Sequence, residues 1–525
     1  MDFSNFSGKN DAPTEAERRL IEACATGSPA SCHDLEESER AVSASLITAL
    51  ATNRFRHRDW NDWELHDLGL MLSGATIVDC VDLERRRIPS ALRFISCDFN
   101  EGIDLDSAVL DGDIFICDCS VSGTFCLVDA IISGRLRADA TTFENSGGDA
   151  IRAQAVKTKG WLMDRAKVKG RLDIRGAEIS GQFSSLGATF ENAGGDAIQA
   201  QGVRAIGWFM DRVTVKGCFD INAADIAGQF AADGATFENP ERRAIHAQEV
   251  KATGWFMDGA TVKGRFDING AEIAGQFAAD GATFENPERV AIHAQGVTAT
   301  GWFMNGAIVK GCFGINSAKI IGQFVASGAR FENSADDAIS AQNVTAGGWF
   351  MREAKVKGRM NIAGAQIDGQ LVSDNAIFKN AEGNAIQAQG VDVVSWFMNG
   401  ATVEGSIDIT SINIVVQFSA NGAKIENPEG VAIAASFSNF GGGLFLVNAA
   451  VAGGLVLAAS AIGKMFNVAG ASIRASESRA IDLRDARIIA ATELDGAEIF
   501  GNVDARRGRF ESGLNLKGGS SLPHR

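Results

Sequence analysis

The sequence predicts an all-β fold, a right-handed parallel β-helix closed at one end by a small N-terminal helical cap. Three observations carry this. Trp161, Trp208, Trp255, Trp302, Trp349 and Trp396 stand 47 residues apart, and self-similarity at a fixed period of this length marks a solenoid. Within the unit that opens at Gly254, an Ala-x-apolar step recurs every 11 residues at Val262, Ile273 and Phe284, before two longer steps through Val297 to Val309. Phe266 with Ile268, and Phe277 with Ala279, alternate with other residues over short stretches bounded by glycine, a period of two that belongs to strands and not to helices. Two 11-residue steps make a rung of about 22 residues, ordinary for a parallel β-helix. The 47-residue unit is then two rungs, the second carrying a small loop at Asn286-Pro287-Glu288.

Taken from the N-terminus, residues 1–67 lack the β rhythm and read as the helical cap. Thr14 and Glu17 have capping-box spacing ahead of Leu20, Ile21 and Cys24, and a second amphipathic run extends from Asp34 to Leu50. Such a cap covers the end of a stack whose strand edges would otherwise invite association. The basic and aromatic run from Arg54 to Trp63 reads as a joint that packs Trp60 and Trp63 between cap and solenoid. From Ile77 the 11-residue step continues through Ile88, Phe99, Leu110, Val121, Ile132 and Phe143, so the solenoid starts at residue 68. Val451, Ile462, Ile473, Ile488, Ile499 and Phe510 keep the register, which carries the solenoid to residue 518 and leaves 519–525 as a tail. The whole comes to about 19 rungs at ~22 residues each. Residues 441–463 hold no charge over a length that could span a membrane, but their glycines and alanines, and the register through Val451 and Ile462, favour apolar rungs.

Equivalent residues of stacked rungs form columns. Phe190, Phe237, Phe284, Phe331 and Phe378 read as one inward column, and Phe209, Phe256, Phe303, Phe350 and Phe397 as another. Asn192, Asn239, Asn286, Asn333, Asn380 and Asn427 read as an amide ladder at a turn. Aligning Gly-Trp-Phe-Met with Gly-Arg-Phe-Asp and Gly-Gln-Phe-Ala turns the tryptophan and methionine outward. Trp161, Met163, Trp208, Met210, Trp255, Met257, Trp302, Met304, Trp349, Met351, Trp396 and Met398 would then form a stripe on one face, interleaved with Gln182, Gln229, Gln276, Gln323, Gln370 and Gln417. A stripe of that size is either covered by the Asn-Pro-Glu loops or the N-terminal segment, or it faces a partner or ligand.

A net charge of −16 and a pI near 5.0 argue against binding a phosphate backbone, which needs clustered Lys and Arg. The opening residues show no basic stretch followed by an apolar run, so no secretion signal is expected. The nine cysteines, an odd number, read as free thiols of a reducing cytoplasm. Cys117, Cys119 and Cys126 lack a second spaced Cys or His pair, and His246 and His293 fall two rungs apart, so no metal is expected. Asp173, Asp220, Asp267 and Asp408, with Glu191, Glu238, Glu285, Glu332 and Glu426, read as outward, solvated columns; an active site would break the repeat, and these carboxylates follow it.

The Gly-Ala-x-apolar-x-Gly rungs, the Gly-Ala-Thr-Phe-Glu-Asn-Pro step, the Asp-Ala-Ile-x-Ala-Gln step and the opening Glu-Ala-Glu-Arg-Arg-Leu-Ile-Glu-Ala resemble a bacterial repeat family. Its members often carry the name "membrane-associated oxidoreductase" and look like distant relatives of pentapeptide-repeat proteins. The resemblance covers nearly the whole chain and implies a bacterial solenoid. No Gly-x-Gly-x-x-Gly between strand and helix and no haem or iron–sulfur cysteine spacing is present, so no cofactor is expected.

The leading functional expectation is a non-catalytic, cytoplasmic scaffold that presents repeated side chains to a protein partner or to a second copy of itself. Peripheral membrane contact through 441–463 stays open. Alternatives are a DNA mimic acting on a topoisomerase-like enzyme, and a carbohydrate-active β-helix.

Overall fold

The structure, a computed structural model, describes residues 6–7, 12–512 and 514–515. The last three predicted solenoid residues, 516–518, and the tail, 519–525, lie outside the described residues. The fold is a parallel β-solenoid of about 20 turns, about 22 residues apart, with a short helical N-terminus.

The capping box forms as its spacing predicts. Helix α1 (Glu15–Thr26) starts where the Thr14 hydroxyl accepts from the Glu17 backbone N–H at 3.1 Å, while the Glu17 carboxylate accepts from the Thr14 N–H at 2.9 Å. Glu17 is fully buried because its carboxylate also accepts from the N–H groups of Ser7 and Ser43, each at 2.9 Å. The second expected helix is shorter than the sequence pattern. Only Ala44–Ala51 (α2) is α-helical, and Ala41–Ser43 is a strand paired in parallel with Thr76–Val78. Ala30–Ser31 likewise pairs with the strand Leu70–Ser73. Within 34–50 the amphipathic pattern is thus overridden at Ala41–Ser43 by a sheet edge that needs a backbone partner. Trp63 is buried in the joint, and its indole donates to the Ile21 carbonyl at 2.8 Å.

The chain divides into two compact units, Met1–Met257 with Thr261–Gly264, and Asp258–Ala260 with Arg265–Arg525. Each stacks its strands into two parallel sheets. In the first unit one sheet holds Glu178–Ser184, Arg204–Phe209, Asp225–Ala231 and Lys251–Phe256, and the other Lys167–Asp173, Thr189–Gln199, Thr214–Asp220 and Thr236–His246. The second unit repeats this with Glu272–Ala278, Thr298–Phe303, Lys319–Val325 and Thr345–Phe350 in one sheet, and Thr283–His293, Ile308–Gly314, Arg330–Ser340 and Lys355–Asn361 in the other.

Register explains the 47-residue period. Lys216 pairs with Glu238, 22 residues on, but Phe219 pairs with Ile245, 26 on, because a four-residue bulge at Asn239 lengthens the second strand. Ile226 pairs with Ala252, still 26 on, yet Phe230 pairs with Trp255, 25 on, because the corner before Gly254 is one residue shorter than its counterpart. Short rungs of 22 therefore alternate with long rungs of 25. The missing corner residue aligns Gly254 with Gln229, not with Gly228.

That single-residue slip overturns the expected face of Gly-Trp-Phe-Met, since a one-residue shift turns every side chain to the opposite side of a sheet. Trp161, Trp208, Trp255, Trp302, Trp349 and Trp396 are buried, as are Met163, Met210, Met257, Met304, Met351 and Met398, all at 1 % exposure or less. They are core residues and not a surface stripe. Phe209, Phe256, Phe303, Phe350 and Phe397, expected inside, are instead half-buried on the outer face. The other phenylalanine column, Phe190, Phe237, Phe284, Phe331 and Phe378, is fully buried as predicted.

The interior is an aromatic stack. In the first unit Phe183 meets Trp208 at 4.5 Å between ring centroids, and Phe230 meets Trp255 at 4.2 Å. In the second, Phe277–Trp302 and Phe324–Trp349 stand at 4.3 and 4.1 Å. Phe219 and Phe313 link these pairs to the column of Phe237 and Phe331 at 5.7 and 5.5 Å. Tilted and edge contacts of this kind add to burial beyond their area.

The Asn column closes its loops one at a time; it is not a ladder of stacked amides. Each Nδ2 donates to the carbonyl four residues on: Asn192 to Asp196, Asn239 to Arg243, Asn286 to Val290, Asn333 to Asp337, Asn380 to Asn384 and Asn427 to Val431, at 2.7–2.8 Å. Equivalent asparagines are two rungs apart, about 10 Å, so they cannot bond one another. The next turn passes close beneath: a Cβ on Gly358, where φ is +112°, would lie 2.1 Å from the Asn333 carbonyl oxygen. Only glycine fits there.

Residues 441–463 form short strands, Gly443–Phe445, Ala450–Val456 and Ala461–Ile462. No helix among the described residues is long and apolar enough to cross a membrane.

Candidate interaction surface

With the tryptophans inside, the outward residues of the same strands are phenylalanines. In the second unit Phe303 lies between Ala278 and Val325, Phe350 between Val325 and Val372, and Phe397 between Val372 and Ser419, all in register. The shorter corner shapes the surface. Gln276 is exposed, and above it stands Gly301, over which the Phe303 ring folds so closely that a Cβ there would meet it at 2.7 Å. Gly348 and Phe350 repeat this at 2.8 Å. Each unit so presents half-buried phenyl rings every second rung, about 10 Å apart, separated by glutamine amides. The first unit carries Phe209 and Phe256 with Gln182 and Gln229. The signal was in the sequence, in the one residue missing between Ala252 and Trp255.

The opposite sheet carries paired charges. Lys169 meets Glu144 at 3.0 Å, Lys216 meets Glu191 at 2.6 Å, Lys263 meets Glu238 at 2.8 Å and Lys310 meets Glu285 at 2.7 Å. The lysine column and the glutamate column share one face, and the acids there are largely neutralised. Such exposed pairs contribute little to stability.

The aspartates expected as a solvated column are mostly buried at a corner. Asp173 and Asp267 have no exposed surface, Asp220 is 9 % exposed, and Asp408 is half-buried. Each closes a turn by accepting from a backbone N–H two residues on, at 3.1 Å for both Asp220 to Asn222 and Asp408 to Thr410. The glutamine of the Ala-Gln step donates across: Gln154 to Asp173 and Gln201 to Asp220 at 2.7 Å, Gln389 to Asp408 at 2.6 Å. A short polar side chain, able to bond its own turn, is what such a corner selects. Burial raises the Asp220 carboxyl, but His246, the Asn222 amide and Gln201 outweigh it, and its pKa lies below the usual carboxylate value.

Both histidines belong to these corners. His246 Nδ1 lies 3.2 Å from Asp220 and its Nε2 lies 3.2 Å from Arg243 Nη1, so Nδ1 donates and Nε2 accepts. His293 Nδ1 receives Asn269 Nδ2 at 2.7 Å and a short contact from Arg265 Nη2, beside the buried Asp267. Each histidine and the aspartate beside it thus bond within their own corner.

All nine cysteines are free thiols. Burial pushes Cys24, Cys218 and Cys312 up to about 12, far from reactive thiolates. Among the described residues no group of three or more His, Cys, Asp or Glu is placed to hold a metal ion.

Compared with family models, with curated proteins and with solved structures, the chain matches none of them.

Proposed function

We propose that the protein is a non-catalytic scaffold whose outer sheet face binds a protein partner or a second copy of the chain. The observation that carries this is the outward Phe–Gln pattern, which repeats in both units. Amphipathic aromatic rows of this kind suit binding faces. The pairing of Lys169, Lys216, Lys263 and Lys310 with glutamates weighs against a DNA mimic, which needs continuous negative charge. The saturation of Asp173, Asp220 and Asp408 by corner hydrogen bonds weighs against a carbohydrate-active site.

The test compares wild-type protein with a Phe303→Gln, Phe350→Gln, Phe397→Gln variant in quantitative affinity capture from the native host and in analytical ultracentrifugation. A partner or self-association present in the first and lost in the second, at unchanged melting temperature, supports the reading. Equal capture and equal mass contradict the assigned face, and turnover of a polysaccharide by the purified protein contradicts the non-catalytic reading.

A further inference from the structure

In the first unit a cleft of about 520 Å³ opens at the corner that follows the tryptophan strands, with Arg137, Asp139, Asp164, Arg165, Gly187 and Arg212 among its lining residues. Arg165 and Arg212 sit at equivalent corners two turns apart, with Gly187 at the same corner of the turn between them. Both are in the left-handed region, at φ +59° and +56°; Gly187, Gly234, Gly281, Gly306 and Gly328 stand at equivalent places, as do Ala140, Glu353, Asn375 and Asn448. Glycine takes this conformation without penalty and arginine does not, so the backbone itself does not call for arginine at these two corners.

Their charge is uncommitted. The other arginines at left-handed corners are ion-paired, Arg85 with Glu84 at 3.2 Å and Arg507 with Asp485 at 2.7 Å. Among the described residues Arg165 and Arg212 have neither an ion pair nor a side-chain hydrogen bond, and both are exposed. The two acids in the cleft are already engaged. Asp139 holds Arg137 at 2.6 Å, and Asp164 accepts from the Ser184 hydroxyl at 2.6 Å and the Leu186 N–H at 2.9 Å. Between the two arginines the floor is open, because a Cβ on Gly187 would meet nothing within 4 Å.

We infer that this cleft is a binding site for a compact polyanion of the diphosphate type. Two guanidinium forks whose Cα atoms stand about 10 Å apart can each hold one phosphate group bidentately, one on either side of the Gly187 gap. Their net positive charge is local, in a chain of net charge −16. The ligand is either inorganic pyrophosphate or the diphosphate of a nucleotide, and the chemistry read by the arginines is common to both.

The test is titration calorimetry on the full chain at low ionic strength with pyrophosphate and with ADP, using wild type, Arg165→Gly, Arg212→Gly and Arg85→Gly. Glycine is native to the equivalent corners, so the first two variants keep or raise the melting temperature. Binding of either ligand to wild type, weakened about tenfold or more in R165G and in R212G but not in R85G, is the expected result. Tighter binding of ADP identifies a nucleotide, and equal or weaker binding identifies the bare diphosphate. Failure of wild type to bind either ligand overturns the inference, and so does an equal loss in R85G, which would mark a general charge effect.

Discussion

Trp208 lies in register with Phe183 of the preceding turn, with ring centroids 4.5 Å apart and neither side chain exposed. Truncating such a ring leaves a cavity that rigid stacked strands cannot collapse. Trp208→Ala is expected to cost about 3–5 kcal/mol in denaturant unfolding. Phe256→Gln, one residue from the equivalent Trp255 but on the outer face, should cost about 1 kcal/mol or less.

Indole N–H groups separate one turn from another. Trp396 Nε1 donates to the Ser373 hydroxyl at 3.3 Å, while Trp349 Nε1, with Ala326 at the equivalent position, is buried without a partner. Ser373→Ala should therefore cost about 1–2 kcal/mol by orphaning the Trp396 donor. Ala326→Ser, which offers Trp349 an acceptor, should be neutral or stabilising; thermal unfolding of both variants measures the difference.

Much of the fold was legible because it follows from local chemistry. The Thr14–Glu17 box, the buried Phe190 column and the strands of 441–463 each follow from spacing and pattern alone. The face of Gly-Trp-Phe-Met is not legible from spacing for a physical reason: a four-residue bulge at Asn239 and a deletion before Gly254 together keep the 47-residue period while the register slips. The aspartate column misled for another. Its alternation with inward residues was correct, but the outward position is a corner, where Gln201 and the Asn222 amide enclose Asp220.

Backbone proximity under the loops gives a third expectation. Gly358→Ala forces a Cβ to 2.1 Å from the Asn333 carbonyl at a left-handed φ. The loss should be at least about 2 kcal/mol, and larger than for Gly390→Ala, where φ is also positive but nothing lies within 4 Å. Paired unfolding curves test the order.

Acid should loosen the corners. Burial raises Asp220 and Asp482, but their hydrogen-bond and ion-pair partners outweigh it and leave both low; hydrogen bonding by Arg506, against some desolvation, holds Asp504 at about 2. A carboxyl lower in the folded state than in the unfolded chain stabilises fully above the unfolded value, near 4, and loses that contribution as pH falls through the folded one. Melting temperature should change little on this account from pH 7 to about 5, then fall between about 4 and 2. Asp220→Asn should shrink that acid-side loss.

The register of the strands decides which way Trp-Phe-Met faces, and tryptophan emission reads this directly. Trp60 is the half-buried indole of the cap; Trp63 and the six repeat tryptophans are buried. In a Trp60→Phe variant the native protein should emit at short wavelength and resist quenching by iodide, with both properties lost on unfolding. Native emission at long wavelength with ready iodide quenching would place the repeat tryptophans in solvent and contradict the register on which the Phe–Gln face depends.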